Sequence, residues 1–201
     1  ETYENLMNGK KANLVVTDPP YNVAYEGTAG TIQNDSMEDG KFYEFLFSAF
    51  KCMYDVCADG ASIYVFHADK ESINFRTAFR DAGFFCHQTC IWVKNTPVLG
   101  RCDYQYCHEP ILVGWKPTAG HKWYSDRKQR TVWNFDKPKK SELHPTTKPI
   151  PLVAYPIQNS SVVNSVILEP FGGSGSTLIA CEQTDRICYA IEIDEKFVDV
   201  I

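Results

Sequence analysis

Short apolar runs alternate along this chain with longer stretches in which apolar residues return every three to four positions. Asn13-Leu14-Val15-Val16-Thr17 reads as a first buried strand. Phe42, Phe45, Leu46, Ala49, Phe50, Met53, Val56 and Cys57 then form a helical stripe, predicting a helix over 36–58 with Ser36 as its N-cap and Gly60 closing it. The spacing next predicts a strand over 61–66, a helix capped by Asp69 and ending near Gly83, and two strands over 84–94 and 110–115. Residues 116–143 show little periodicity and read as an inserted loop or small subdomain. A helix over 151–158, kinked or shortened by Pro156, precedes a strand over 162–168, a helix over 176–183, a strand over 187–193 and the start of a last helix. Repeated β–α–β order predicts a mostly parallel sheet with helices on both faces and one antiparallel strand pair.

At 201 residues the chain fits one domain with a full-sized core. It begins at Glu1 rather than Met and stops inside an expected helix, so a piece of a longer chain is expected. No apolar stretch approaches the roughly 20 residues of a membrane span, and no signal peptide is expected. The eight cysteines include no Cys-x-x-Cys pair, and several sit in apolar runs. They read as free thiols of a reduced, cytoplasmic protein. Cys102, Cys107 and His108 do not match zinc spacings, so no metal is expected. The formal charge is −5, yet nine basic residues stand against three acidic ones between Lys116 and Lys148. That asymmetry points to one basic surface on an acidic body.

The first strand delivers Asp18-Pro19-Pro20-Tyr21 to its end. Prolines have no N–H, so the backbone there can only accept hydrogen bonds, and Asp18 adds a carboxylate acceptor. With a tyrosine ring able to stack, these groups suit a planar amine. A second constellation, Glu169-Pro170-Phe171-Gly172-Gly173-Ser174-Gly175-Ser176-Thr177, lies between a strand and a helix. Such glycines let the backbone approach a ligand. Glu192, at the end of the following strand, is placed to take ribose hydroxyls. Neither a P-loop ending nor G-x-G-x-x-G is present, so a nucleoside ligand without pyrophosphate fits better, with S-adenosylmethionine the candidate. A third element, His144-Pro145-Thr146-Thr147-Lys148-Pro149, leads into the helix before that strand.

In this order the three elements resemble the permuted, β-group DNA amino-methyltransferases, adenine-N6 and cytosine-N4 enzymes with a Rossmann-like α/β fold. The likeness extends to Ile91-Trp92-Val93-Lys94-Asn95 and His108-Glu109-Pro110-Ile111-Leu112, and so to nearly the whole chain. It implies one methyltransferase domain: a catalytic half (1–115), a target-recognition segment (116–143) and a cofactor half (144–201). Asp rather than Ser heading the tetrapeptide leans toward adenine. The implied reaction moves a methyl from S-adenosylmethionine to N6 of an adenine flipped out of double-stranded DNA. Asp18 and the Pro19 carbonyl would hold the amine beside Pro20, and Tyr21 would stack on the base. The loop from Asn22 to Ser36 would close over it. Glu169, Phe171, Gly173, Ser174, Gly175, Ser176 and Glu192 would hold the cofactor, with Thr146, Thr147 and Lys148 at its methionine end. Lys122, Trp123, Arg127, Lys128, Arg130, Lys139 and Lys140 would contact DNA, with Tyr124 and Trp133 also available. The chain departs from the family in carrying Glu169 for Asp and Ser176 for Thr, and in having too little sequence before Leu14 for the Gly-Asp element expected upstream. Cytosine N4, adenine in RNA, and a silent DNA-binding module remain alternative readings. Restriction partner, orphan or phage origin, and monomer or homodimer also stay open.

Overall fold

The computed structural model describes residues 2–24, 26, 27, 30, 31, 33–137, 147–199 and 201. A first helix, α1 (Thr2–Met7), precedes β1 (Ala12–Thr17); a small hairpin, β2 (Glu26–Gly27) and β3 (Gly30–Thr31), leads to α2 (Asp39–Val56). β4 (Cys57–Phe66), α3 (Ser72–Asp81), β5 (Phe85–Val98), β6 (Tyr106–Trp115) and β7 (Val132–Asn134) follow. α4 (Ile150–Ser160), β8 (Val166–Glu169), α5 (Ser176–Gln183), β9 (Ile187–Ala190) and α6 (Glu195–Val198) complete the order.

The large sheet has seven strands in the order β7-β5-β6-β4-β1-β8-β9. β1 pairs in parallel with β4 and β8, β8 with β9, and β5 with β7. β6 runs against both neighbours, β4 and β5. The β1 side chains alternate between faces, as a strand's two-residue period requires. Val15 joins Phe42, Leu46, Phe50, Phe75 and Phe79 from α2 and α3 on one face. Leu14 and Val16 join Leu152, Val153, Ile157, Ala180 and Cys181 from α4 and α5 on the other. The expected Rossmann-like architecture, covered on both faces, is therefore the one observed.

Several local expectations fail for identifiable reasons. Helix α2 starts at Asp39 with Glu38 before it and no side-chain cap, so Ser36 does not cap it. Gly60 does not close that helix: it lies within β4, where φ is +73° and a Cβ would come within 2.4 Å of the Gly120 carbonyl oxygen. Both its conformation and the close backbone approach demand glycine. Asp69 opens a short 3-10 turn rather than capping α3. β8 starts four residues later than expected, because the Val162 N–H bonds to Ser165 Oγ in a turn with Asn164 at φ +65°. Pro156 neither breaks nor shortens α4, which keeps Leu152, Val153, Pro156 and Ile157 buried. The cost of an internal proline, about 3 kcal/mol, is offset by that apolar face.

The basic segment is also not a free insert. Its Trp133 is 5% exposed and packs 5.0 Å from the Tyr155 ring and 6.2 Å from that of Tyr64. That burial lets β7, only three residues long, add to the sheet beside β5, and it removes Trp133 from any surface role.

Candidate active site

In an open, largely parallel sheet the strand carboxyl ends form the natural binding edge. Here that edge receives Asp18 from β1, His67 from β4, Lys94 from β5, Glu169 from β8 and, just past β9, Glu192. β6 is reversed, so it is the beginning of that strand, Glu109, that lies at the same edge, near Lys94.

Asp18-Pro19-Pro20-Tyr21 turns out of β1 into a tight polar cluster. The Tyr21 hydroxyl donates to Asp18 Oδ1 and lies 3.2 Å from Glu109 Oε2. Lys148 Nζ donates to Asp18 Oδ2 at 2.6 Å and to the Tyr21 hydroxyl at 3.2 Å, and it stands 3.3 Å from Glu109 Oε2. Glu109 Oε1 accepts from Lys94 Nζ. Burial alone would push the Glu109 carboxyl up, but Lys148 and Lys94 outweigh it and bring it down to about 2. For Lys148 burial works against the charge, and Asp18 and Glu109 reverse that, holding the ammonium above its ordinary range. Tyr21 is driven well above the usual phenol range by burial and by the two carboxylates. The cluster is thus an ordered set of opposite charges in which Asp18 stays 21% exposed. A carboxylate offers about four lone-pair positions, so Asp18 keeps acceptors for an incoming amine.

Backbone support comes from Asp35, which is 3% exposed and accepts from the Tyr21 N–H at 2.8 Å. Asn22, at φ +57°, accepts from the Met37 N–H at 2.6 Å. Together they fold the strand exit back on itself.

The glycine loop lies at the same edge. Gly173 and Gly175 have φ of +53° and +76°, which side chains rarely tolerate, and Gly175 is the residue from which α5 starts. Glu192 Oε2 accepts from the Gly173 N–H at 2.6 Å, and Oε1 accepts from the Asp194 N–H at 2.8 Å. Phe171 packs 6.0 Å from Phe45. Ser174 and Ser176 share a hydrogen bond of 2.9 Å. Glu169 is a brace: it is 3% exposed, Oε1 accepts from Thr17 Oγ1 and the Phe171 N–H, and Oε2 accepts from Thr177 Oγ1. Burial, the strongest influence, holds its carboxyl well above the usual range against those three donors. Its bonds tie β1 to the loop rather than leaving an open edge.

The expected site residues therefore separate into groups. Asp18, Pro19, Pro20, Tyr21 and Lys148 meet in one cluster, while Phe171, Gly173, Ser174, Gly175, Ser176 and Glu192 form the adjoining loop. Thr147 is half-buried beside Lys148, and Thr146, Lys139 and Lys140 lie outside the described residues. Lys122, Trp123, Arg127, Lys128 and Arg130 do not join either group. β6 leaves the sheet at Trp115, opposite Ser62, four residues and roughly 13 Å back from the Ile111–Phe66 level. From there Lys116 bonds to Ala61, Thr118 to Asp59 and Tyr124 to Asn159, so this stretch lies at the other edge. It lines a groove of about 340 Å³ with His87, Trp115 and Tyr155.

Lys94, Glu109 and Asp35 are functional candidates that sequence reasoning passed over. The first two carry a readable signal, a charge flush with an apolar strand in Ile91-Trp92-Val93-Lys94 and Glu109-Pro110-Ile111-Leu112. Among the described residues, no group of His, Cys, Asp and Glu could hold a metal ion, and no helix is long and apolar enough to cross a membrane.

A family model described as DNA methylase matches residues 12–201. The Escherichia coli (strain K12) protein named "Putative methylase YubD" is 28% identical over 94% of this chain and 79% of its own length. The type II methyltransferase M.HpaI of Haemophilus parainfluenzae is 25% identical over 94% of this chain and 66% of its own. Among solved structures, M1.HpyAVI in complex with SAM superposes with a TM-score of 0.76 at 20% identity, covering 98% of this chain and 91% of that one. The cytosine-N4-specific PvuII DNA methyltransferase gives 0.81 at 14% identity, covering all of this chain and 82% of its own.

Proposed function

The chain belongs to the DNA methylase family of N6 and N4 enzymes, and from that premise we propose that it methylates the exocyclic N6 of adenine in double-stranded DNA, using S-adenosylmethionine. The observation that carries this reading is the Asp18-Pro19-Pro20-Tyr21 turn, aimed across the same edge as the glycine loop. The donor set fits the cofactor. Glu192, already held by two backbone N–H groups, keeps lone pairs for ribose hydroxyls, and the loop from Phe171 to Ser176 would border the nucleoside. Bound there, S-adenosylmethionine supplies an electrophilic sulfonium methyl.

The rest of the chemistry belongs to the chain. An amine conjugated to a purine is a poor nucleophile, because its lone pair is shared with the ring. Asp18 and the Pro19 carbonyl accept its two hydrogens and draw the nitrogen toward tetrahedral geometry, freeing the pair for in-line attack. Positioning and electrostatics do the work, with no covalent enzyme adduct. As the N–C bond forms, the methyl would part from sulfur, the bonding pair staying on a neutral thioether as the leaving group, and the amine sheds one proton toward Asp18 and solvent.

The DNA side also follows from the edge. The β5–β6 hairpin rises beside Lys94 and Glu109, and its tip presents Leu99 at 84% and Tyr104 at 90% exposure next to Arg101. Lys137 is anchored there too, its N–H donating to Asn95 Oδ1 at 3.0 Å. These groups are the proposed DNA-facing surface. Lys122 to Arg130 are not. The second reading, transfer to cytosine N4, draws on the likeness to the PvuII enzyme. Labelled cofactor offered with duplex DNA, single-stranded DNA and RNA in parallel tests the substrate class. Label in duplex DNA is expected, and label confined to RNA would end the reading.

A further inference from the structure

Lys148 touches both halves of the site. Its ammonium has three N–H donors, and all three face acceptors: Asp18 Oδ2 at 2.6 Å, the Tyr21 hydroxyl at 3.2 Å and Glu109 Oε2 at 3.3 Å. Its main chain is held elsewhere, for Ser176 Oγ donates to the Lys148 carbonyl at 3.0 Å. Ser176 is the first residue of α5, next to Gly175, and it shares its hydroxyl with Ser174. One residue is therefore pinned by its backbone to the glycine loop and by its side chain to the acid of the tetrapeptide. Pro149 follows at φ −60° and restricts the backbone between these two anchors.

The side chain is only 8% exposed, where an unpaired charge is strongly disfavoured. Glu109 meets that cost on one side, and Lys94, 6% exposed, balances Glu109 in turn. The signs alternate along Lys94, Glu109, Lys148 and Asp18. The chain of charges crosses from β5 through β6 to the end of β1, so Lys148 is held as part of a rigid frame rather than as a surface ion pair.

We infer that Lys148 is a positioning residue that couples the cofactor loop to the base socket, with Glu109 and Lys94 holding its charge in place. This rests on the reading of the site as a methyltransferase and adds how its two subsites communicate. A ligand that orders the loop through Ser174 and Ser176 fixes the Lys148 backbone, and the ammonium then fixes the Asp18 carboxylate and the Tyr21 hydroxyl. By linkage, a base held at Asp18 must tighten the cofactor site by the same factor.

The test is a thermodynamic cycle on the full chain. Affinity for duplex DNA that the wild type methylates, with the target adenine intact and 2-aminopurine beside it to report extrusion by fluorescence, is measured with and without S-adenosylhomocysteine. In the wild type the nucleoside should tighten DNA binding about tenfold, within the usual range of coupling between sites. In Lys148→Met that ratio should fall to about one and kcat by about 100-fold, while the dissociation constant of S-adenosylhomocysteine alone changes less than about threefold. Lys148→Arg should restore part of the coupling. Should Lys148→Met fail to fold, Ser176→Ala removes the backbone pin together with the bond to Ser174, disturbs no buried charge, and should also lower the ratio. A wild-type ratio of one, or a folded Lys148→Met or Ser176→Ala that keeps the wild-type ratio, would overturn the inference. Wild-type coupling without methyl transfer to any DNA would instead overturn the proposed function and leave the coupling standing.

Discussion

The two edges of the sheet carry similar chemistry in sequence and opposite chemistry in space. At the edge bearing Asp18, Lys148 and Lys94 are buried and Glu109 is half-buried, and all three are paired and drawn from different elements. At the other edge Lys122, Arg127 and Lys128 are exposed, and Trp123 and Tyr124 stand 43% and 50% open to solvent. The second set is denser along the chain, yet it is the first that has the marks of a site. Surface charges are screened and cheap, whereas buried charges persist only where geometry compensates each one. Convergence from separated positions is therefore the better guide to function than local abundance.

The largest effect should come from removing the acid at the centre of the first edge. Asp18→Ala is expected to cut methyl transfer by about 10³-fold while cofactor affinity on calorimetry changes less than about threefold. Lost cofactor binding would move Asp18 out of the acceptor role.

Next comes a pH effect confined to the same edge. His67 is 1% exposed, its ring lies 5.2 Å from that of Phe75, and Nδ1 faces the Val65 carbonyl. Burial lowers its pKa to about 4, with Arg76 adding to the shift and Val65, Asp69 and Glu109 opposing it. A histidine held below its unfolded value of about 6.5 favours the folded state above that pH. Its contribution is then lost as pH falls from there to about 4. Denaturant melts should show wild type losing about 3 kcal/mol more than His67→Gln across that window. Equal losses would mean that the imidazole charges without penalty.

A direct contrast of the edges follows. The double variant Leu99→Ser, Tyr104→Ala on the hairpin tip should raise the KM for DNA about tenfold, as expected for one lost base or sugar contact. Lys122→Glu with Lys128→Glu, at the far edge, should change it less than about twofold. The reverse ranking would return target recognition to the basic segment. A comparable change of about tenfold in cofactor affinity is expected for Glu192→Ala, which removes a charge-assisted acceptor, with kcat at saturating cofactor nearly unchanged. An unaltered dissociation constant would put the ribose contact elsewhere.

What could be read before the structure was whatever depends on neighbours in sequence. Asp18, the glycine loop and Glu192 each announce themselves because strand end, turn and acceptor are contiguous. The same contiguity predicts a helix over 176–183, which is where α5 runs. Lys94 and Glu109 escaped because their meeting depends on the hairpin register that sets Val93 opposite His108. The partner of Lys148 is not legible either: its motif puts it beside the glycine loop, but only the fold brings its ammonium to Asp18. β7 was invisible, since three residues carry no periodicity and its burial is supplied by Tyr64 and Tyr155. Gly60 misled because a left-handed glycine serves a strand irregularity as well as a helix end.

The central claim is that the edge bearing Asp18 methylates adenine. Duplex DNA incubated with the protein and isotope-labelled S-adenosylmethionine, then digested to nucleosides and resolved by mass spectrometry, tests it most directly. The account predicts the label in N6-methyldeoxyadenosine. Label in N4-methyldeoxycytidine, or in no nucleoside, would contradict it.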